Sequence, residues 1–461
     1  MNLSYSIGLK VILLSFLSFQ ISNSALANDW FEATRGEIIT SKDKRVISLN
    51  EFHENSPLLK MGKGVVVREC LTKNRPCSKL ERAFIFSQMI GHNTVLNLVL
   101  EKDRMVRKLT IQILPPDFPF AEQVGSSILN KSLVFSLTTV HSKPESACHL
   151  FVLSPRGEII FYRRIPHACN DFRPHSLNGR TFYSYQLVNE GIQNVGYLGP
   201  RIILDDNFTP YKTVAAQNEG HEFILVDDDH WIGIEFELSR LKSGLVYIDK
   251  KIVERKNGSV IFSWGTSDYL KQHNTELLPN VSLTSYHNEI VLQLLHLNSV
   301  QSFRDGLLIS LGTNGVVYID RKSRKILWEL GGIRDEFKLS LDQHPNFLHT
   351  PSWDPKTKTL TLFSNLSHGV PGTTFSRVLS YRLDLDAKSI AEFTVLRDKK
   401  ELSLIMGSVE VHEKTLSIGF GTKDIGKYDF IEMHGSAETW KLSFGRKFSA
   451  YRFYRPLDAK P

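Results

Sequence analysis

Three histidines and one asparagine are the residues of this chain best suited to group-transfer chemistry. His221 opens the segment His-Glu-Phe-Ile-Leu-Val-Asp, His296 and Asn298 lie in an HLNSV sequence, and His344 follows a WELGG segment. Residues two apart on a strand share a face, which predicts that His296 and Asn298 point the same way. The chain has 16 histidines, so a single one indicates little. Together, imidazole and amide groups at strand ends predict one wall of a pocket built from several sheets.

A degenerate repeat predicts the sheets that must hold these side chains. Four times, a turn with Gly, Lys or Asp precedes aliphatic residues that end in an aromatic one, at Tyr162, Trp264, Trp328 and Trp440. The gaps of 102, 64 and 112 residues fit one or two units of roughly 50–60 residues, the size of a β-propeller blade. Residues 126–461 have room for about six blades. A β-solenoid and stacked sandwiches remain alternatives on periodicity alone.

The preceding residues predict a separate small β domain. β-branched and aliphatic residues recur with period two, the pattern of strands, and Pro115-Pro116 stops the last of them. We expect a β-sandwich-like domain over residues 28–125. Leu80–Met89 is the best helical candidate. The predicted strands are 64–68, 94–100 and 106–114.

The first 27 residues have the features of a signal peptide. Lys10 precedes an apolar run too short to span a bilayer, and Ala25-Leu26-Ala27 is a small-x-small cleavage site. We expect export, with a retained N-terminal anchor as the alternative. The net charge of +7 is spread along the chain without a Lys/Arg block or a nucleic-acid motif, which favours a solvated surface and no nucleic-acid partner.

The cysteines predict two disulfides. An even number, four, in an exported chain favours pairing, and sequence proximity favours Cys70–Cys77 and Cys148–Cys169 among three connectivities. Zinc is the rival for Cys70 and Cys77, but their spacing does not fit a zinc knuckle.

The collinear order of several short motifs resembles the bacterial arylsulfotransferases, also called arylsulfate sulfotransferases, over most of residues 140–455. Each motif is weak alone, and their shared order carries the resemblance. The matching pieces are His221-Glu-Phe, HLNSV (296–300), WELGG (328–332), QH (343–344), FSN (363–365), SR (376–377), Gly407-Ser-Val and Tyr451-Arg452.

This resemblance implies an all-β chain with a six-bladed β-propeller and a periplasmic location. It also implies sulfuryl transfer from a phenolic sulfate ester to a phenolic acceptor, by a ping-pong mechanism and without a cofactor. His344 matches the nucleophile that becomes sulfated, His221 and His296 match histidines that contact the sulfate oxygens, and Asn298 matches a further polar contact. We expect only small-molecule partners, no membrane after signal cleavage, and leave a homodimer open.

Two positions depart from the family pattern. Gly312 stands where an arginine is expected, which removes a permanent cation suited to a sulfate anion, and Ser364 replaces an aspartate. Replacement cations would come from Arg304, Arg334 or Arg377. Apolar walls for an aromatic ring would come from Phe347, Trp353 or Phe375, although core packing is their more common role.

Two other functions stay open at this point. One is a non-catalytic periplasmic propeller that acts as a binding or assembly module, which the loss of the arginine favours. The other is a metal-dependent enzyme on the same scaffold that uses the three histidines, although no HxH or HExxH spacing supports a preformed metal site.

Overall fold

The structure is a computed structural model that divides the chain into two compact units, Met1–Phe118 and Pro119–Pro461. The expected signal peptide and the helical candidate at 80–89 lie outside the residues it describes. Those residues are 31–33, 37–41, 44–48, 59–61, 65–72, 75–76, 95–114, 118–119, 121–139, 146–192, 196–214, 219–276, 278, 281–286, 289–332, 334–367, 375–445 and 447–456.

The first unit is built from β-strands. One mixed sheet has the order β2-β3-β8-β7-β5-β6, with β3 and β8 parallel, and β1 pairs with β4. The predicted strands of this region coincide with β5, β7 and β8. The strands are β1 (Phe31–Ala33), β2 (Glu37–Ser41), β3 (Lys44–Ser48), β4 (Leu59–Met61), β5 (Val66–Thr72), β6 (Arg75–Pro76), β7 (Val95–Lys102) and β8 (Met105–Leu114).

The second unit is also made almost wholly of strands. Its first half comprises β9 (Glu122–Gly125), β10 (Leu133–Thr139), β11 (Cys148–Leu153), β12 (Ile159–Ile165), β13 (Cys169–Leu177), β14 (Arg180–Leu187), β15 (Glu190–Ile192), β16 (Gly196–Leu198), β17 (Arg201–Leu204), β18 (Pro210–Val214), β19 (Glu219–Asp227), β20 (His230–Arg240), β21 (Val246–Lys256), β22 (Ser259–Gly265) and helix α1 (Thr266–His273).

The second half continues the same pattern and includes a short 3₁₀ turn, Gly312–Asn314. Its strands are β23 (Ser282–Tyr286), β24 (Glu289–Gln293), β25 (Ser299–Ser302), β26 (Gly306–Ser310), β27 (Val316–Asp320), β28 (Ile326–Leu330), β29 (Pro345–Asp354), β30 (Thr359–Ser367), β31 (Arg377–Asp384), β32 (Ser389–Asp398), β33 (Ser408–His412), β34 (Thr415–Gly419), β35 (Phe430–His434), β36 (Ala437–Ser443), β37 (Phe448–Ser449) and β38 (Phe453–Tyr454).

These strands form six antiparallel blades. Five have the order β13-β14-β17-β18, β19-β20-β21-β22, β25-β26-β27-β28, β29-β30-β31-β32 and β33-β34-β35-β36, and the hairpins β15-β16 and β23-β24 extend the second of them. The first strands β13, β19, β25, β29 and β33 contact one another in succession. This ring of first strands is the inner wall of a β-propeller. The predicted all-β, six-bladed fold is confirmed.

The two ends of the propeller close the ring together. The C-terminal strands β37 and β38 both pair with β10 and complete the blade β12-β11-β10, while β9 pairs with β36 of the last blade. Because β9 is hydrogen-bonded into that blade, residues 119–125 belong to the propeller unit. The unit boundary therefore precedes the expected one near residue 125.

The degenerate repeat marks an outer strand of four blades. Its terminal aromatics lie on β12, β22, β28 and β36, and all four are almost fully buried. Trp264 and Trp328 lie in apolar layers, and Trp264 shares its layer with Leu307 and Ile309 of the next blade. Tyr162 and Trp440 contact the rings of Phe151 and Phe430. Truncating such an aromatic to alanine costs about 3–5 kcal/mol. The aromatic ending therefore reflects packing of the scaffold.

A disulfide joins the first two blades. Cys148 of β11 is bonded to Cys169 of β13, with their Cα atoms 5.4 Å apart, which confirms that predicted pair. Cys70 is also disulfide-bonded, whereas Cys77 lies outside the described residues. Within the described part of the chain, no helix is long and apolar enough to cross a membrane.

Candidate functional site

The first residues of several inner strands meet at one end of the propeller. His221 lies near the start of β19, His296 and Asn298 directly precede β25, and His344 directly precedes β29. The segment between β37 and β38 reaches the same place, because the Tyr451 hydroxyl donates to the backbone oxygens of His221 and Asn298, at 3.1 and 3.4 Å. Residues far apart in sequence thus gather where the blades converge.

His221 and His296 form a facing pair. Their ring centroids are 4.9 Å apart and the rings are nearly perpendicular. The Tyr451 ring lies 5.7 Å from His221, and the Phe347 ring stacks on His296 at 5.9 Å. Both imidazoles are partly buried, so the pair has apolar walls on two sides and retains access to solvent.

A buried carboxylate, Glu219, and a buried amine, Lys250, lie beside His221. Nδ1 of His221 is hydrogen-bonded to Oε1 of Glu219, whose carboxylate also lies 3.7 Å from Nζ of Lys250. Burial raises the pKa of Glu219 to about 7, against the opposing effect of Lys250. Burial, reinforced by Lys250, lowers the pKa of His221 well below its ordinary value. His221 is therefore a neutral imidazole at neutral pH.

Asn298 is fully buried and links neighbouring inner strands. Its side-chain nitrogen donates to the backbone oxygen of Leu348 at 2.9 Å, and its own backbone oxygen accepts from Arg452 at 2.5 Å. Arg452 is in turn paired with Glu222 at 2.9 Å. Within the described residues, Oδ1 of Asn298 has no hydrogen-bond partner. The amide therefore spans two blades beneath the histidine pair.

His344 is partly buried in the turn before β29. Its Nδ1 donates to the backbone oxygen of Pro345 at 3.1 Å, and its Cε1 lies 3.7 Å from the position that a Cβ on Gly331 would occupy. A carbonyl oxygen can only accept, so the neutral ring carries its proton on Nδ1 and its lone pair on Nε2. The described contacts of His344 are with this turn rather than with the His221–His296 pair.

The turn before His344 is held by two residues of β31, the third strand of its blade. The Tyr381 hydroxyl donates to the backbone oxygen of Gln343 at 2.6 Å, and the Arg377 guanidinium donates to that of Asp342 at 3.1 Å. Arg377 thus supports the turn, and of the three proposed replacement cations it is the one in contact with that turn. Arg334 instead donates to the backbone of His273, and Arg304 is exposed.

A further histidine, His349, was missed from sequence. It is buried within β29, and burial together with Arg452 lowers its pKa to about 4. Its Nδ1 donates to Oδ1 of Asn365 at 2.7 Å, and its positive form would lower the pKa of His221, so the two rings are electrostatically coupled. Asn365 of the FSN sequence was the sequence signal that could have pointed to His349, because its side-chain oxygen accepts a hydrogen bond from this ring.

Gly312 and Ser364, the two residues that depart from the family pattern, each have a local structural role. Gly312 has a φ of +65°, and a Cβ there would lie 2.9 Å from Cβ and 3.0 Å from the backbone oxygen of His296. A larger residue therefore does not fit this backbone. Ser364 accepts from the backbone nitrogen of Asn346 at 3.0 Å and donates to its oxygen at 3.1 Å, which binds β30 to β29.

Of the three proposed apolar walls, Phe347 lies at the histidine pair. Trp353 is buried against Trp328, with ring centroids 5.5 Å apart, and belongs to the core between blades. Phe375 is partly buried beside β31. Among the described residues, no group of three His, Cys, Asp or Glu side chains is arranged to hold a metal ion.

Residues 237–419 match the family Arylsulfotransferase (ASST). No curated protein sequence matches the chain. Three solved structures share between 7% and 11% identity with it, at TM-scores that carry no argument about function. They are the Myceliophteria thermophila Cps50 (Swd1) β-propeller domain (7% identity, TM-score 0.37, covering 72% of this chain and 90% of that one), a quinonprotein alcohol dehydrogenase-like protein from Bacteroides thetaiotaomicron (8%, 0.36, 92% and 99%) and BamB from Moraxella catarrhalis (11%, 0.30, 77% and 82%).

Proposed function

We propose that the chain is an enzyme that transfers a sulfuryl group from a phenolic sulfate ester to a phenolic acceptor, a proposal supported by the match of residues 237–419 to the arylsulfotransferase family. The observation that carries this proposal is the facing pair of His221 and His296 at the starts of two neighbouring inner strands, with His344 at the start of the next inner strand. All three are partly buried, which is what a group must be to meet a small substrate and still be held in place.

In the first half-reaction, Nε2 of His344 attacks the sulfur of the donor. The S–N bond forms as the S–O bond to the aryl group breaks, and the phenolate leaves with the electron pair of that bond. The hydrogen bond from Nδ1 of His344 to the backbone oxygen of Pro345 leaves the lone pair on Nε2, where it can make this attack. A covalent intermediate splits one transfer into two steps and predicts ping-pong kinetics.

In the second half-reaction, the oxygen of the acceptor phenol attacks the sulfur of the sulfo-histidine. The S–N bond breaks and its electron pair returns to Nε2 of His344, while the phenolic proton passes to a neighbouring imidazole. A base placed within hydrogen-bond reach of that proton typically accelerates such a step by about 10²–10⁴-fold. His221 is partly exposed, and Glu219, which is bonded to its Nδ1, would pair with the imidazolium that forms when His221 accepts the proton.

Negative charge on the sulfuryl oxygens needs donors from the protein. His296 lies across from His221, and one donor of this kind contributes about 3–4 kcal/mol to transition-state stabilisation. The family arginine is absent at Gly312, and Arg452 lies buried beneath the pair and neutralised by Glu222. We propose that imidazole N–H groups carry more of the anion binding here than in relatives with that arginine.

We also propose that the protein acts in the periplasm after removal of residues 1–27. The Cys148–Cys169 bond supports this location, because disulfides persist in oxidising compartments. The partners would be the aryl sulfate donor and the phenolic acceptor. A homodimer stays open.

Intact-mass measurement after incubation with an aryl sulfate tests the nucleophile. We expect the wild-type protein to gain the mass of one SO₃ group and to release one equivalent of phenol before an acceptor is added. His344→Ala should lose both, whereas His167→Ala, which changes an exposed histidine, should behave as wild type.

Two results would contradict the proposal. Turnover by His344→Ala at the wild-type rate would exclude His344 as the nucleophile. A folded wild-type protein with neither mass gain nor turnover across a panel of aryl sulfates would support the binding module instead.

A further inference from the structure

We propose that Glu219 and Gln293 are positioning residues that give the two facing histidines opposite roles. His221 would accept the proton of the acceptor phenol, and His296 would donate a hydrogen bond to a sulfuryl oxygen. This inference rests on the proposed function and deepens it, because it assigns the two halves of the chemistry to individual nitrogen atoms.

The first part of the argument concerns the proton on His221. Above the pKa of Glu219, about 7, its carboxylate is ionised and can only accept hydrogen bonds, and it is bonded to Nδ1 of His221. Nδ1 of the neutral ring therefore carries the proton, which leaves the lone pair on Nε2. Glu219 is itself held by the backbone nitrogen of His221 at 3.2 Å and by Lys250 at 3.7 Å, so the carboxylate is fixed on two sides.

The second part concerns the proton on His296. Nε2 of Gln293 is 2.9 Å from Nδ1 of His296, and an amide nitrogen can only donate. Oε1 of Gln293 accepts from the Ser282 hydroxyl at 3.0 Å, so each end of the amide has a partner suited to it. Nδ1 of His296 is thus an acceptor, and the proton of the neutral ring lies on Nε2.

The two tautomers complement each other. A sulfuryl group has anionic oxygens that need hydrogen-bond donors, whereas the acceptor phenol must lose a proton as its oxygen attacks. Two rings that both presented lone pairs would repel the anion, and two that both presented N–H groups would leave the phenolic proton without an acceptor. With centroids 4.9 Å apart, His221 and His296 can serve the two needs side by side.

The step is balanced as follows. The phenol oxygen forms its bond to sulfur while the phenolic proton moves to Nε2 of His221, and the S–N bond to His344 breaks with its electron pair returning to that ring. The resulting imidazolium of His221 is paired with the Glu219 carboxylate. The Nε2–H of His296 stays in place throughout, because it serves only as a hydrogen-bond donor.

Glu219→Gln tests the base with acceptors of different acidity, above the pKa of Glu219, about 7. An unsubstituted phenol has a pKa near that of tyrosine, about 10, and needs the base, whereas a nitrophenol already ionised at the assay pH does not. We expect transfer to phenol to fall by roughly 10²-fold or more, and transfer to the nitrophenolate and sulfation of His344 by the donor to change little. Equal losses with both acceptors would overturn the inference.

Gln293→Glu is the matched variant for the other ring. A carboxylate at this position would accept from Nδ1 and move the lone pair of His296 to Nε2, so we expect a higher KM for the aryl sulfate and an unchanged preference between the two acceptors. A loss confined to the un-ionised phenol would contradict the assignment. Circular dichroism and thermal unfolding show whether each variant is folded.

A direct readout of the protons separates this inference from the proposed function. Long-range ¹H–¹⁵N spectra of protein with ¹⁵N-labelled histidine rings distinguish the two tautomers. Substituting each histidine in turn assigns the signals. We expect Nδ1–H for His221 and Nε2–H for His296. The reverse pattern would overturn the inference even in an active enzyme, and an inactive protein with the expected pattern would overturn only the proposed function.

Discussion

Replacing Gly312 by arginine restores the residue type of the family but should not restore its role. The backbone at this position has a φ of +65°, and a Cβ would meet both Cβ and the backbone oxygen of His296 at 3.0 Å or less. A residue other than glycine in the left-handed region costs about 1–2 kcal/mol. Forcing a side chain into a filled site costs about 1–3 kcal/mol more.

The sum, about 2–5 kcal/mol, predicts a measurable loss of stability. Unfolding entropy of about 2.1 cal/mol/K per residue, over the propeller unit 119–461, gives roughly 0.7 kcal/mol/K. We therefore expect thermal unfolding of Gly312→Arg and Gly312→Ala to occur about 3–7 °C below that of the wild type. We also expect the arginine variant to show no lower KM for an aryl sulfate than the alanine variant.

Gly244 offers a matched control. Its φ is +87°, and a Cβ there would have no atom within 4 Å, so Gly244→Ala should show only the conformational part of the cost. The reasoning is refuted if Gly312→Arg unfolds at the wild-type temperature. It is also refuted if that variant binds the donor more tightly than Gly312→Ala, because the backbone would then accept an arginine side chain at this position.

Two further predictions concern the scaffold of the site. Arg452→Met removes the guanidinium that pairs with Glu222 and donates to the Asn298 backbone. We expect the free energy of unfolding, measured with denaturant, to fall by about 3–5 kcal/mol, because Glu222 is left buried and unpaired by this residue. A fall below about 1 kcal/mol would show that this pair does not hold the blades together. Replacing Cys148 and Cys169 together by serine opens a loop with a sequence separation of 21, and the loop-entropy model predicts a loss of about 3 kcal/mol, which equal unfolding midpoints would contradict.

The outer frame of the propeller could be predicted from sequence because its signals are local. Aliphatic runs that end in Trp264, Trp328 or Trp440 predict strands with a buried terminal aromatic, and the structure places each of these residues on the fourth strand of a blade. Closure could not be read in the same way. Strand β9 pairs with β36, and β38 with β10, across more than 300 residues, and no local pattern records such a partner.

The candidate site shows the same division. His221, His296 and His344 were selected because their types and order resemble a family. His349 was not selected, because its coupling to His221 depends on the position of β29 in the folded inner wall. Asn298 was expected to make a polar contact with the substrate. The structure shows its amide nitrogen bonded to Leu348 beneath the histidine pair.

The sequence by itself determined which chemistry-bearing residues exist and that they would lie at strand ends of an all-β repeat, because residue type and periodicity are properties of short segments. Only the tertiary structure decided which group contacts each imidazole. Glu219 bonds to His221 and Gln293 to His296 through distances and orientations set when strands pair and blades pack. The same packing gave Gly312 its meaning, since the space that an arginine would need is occupied by His296.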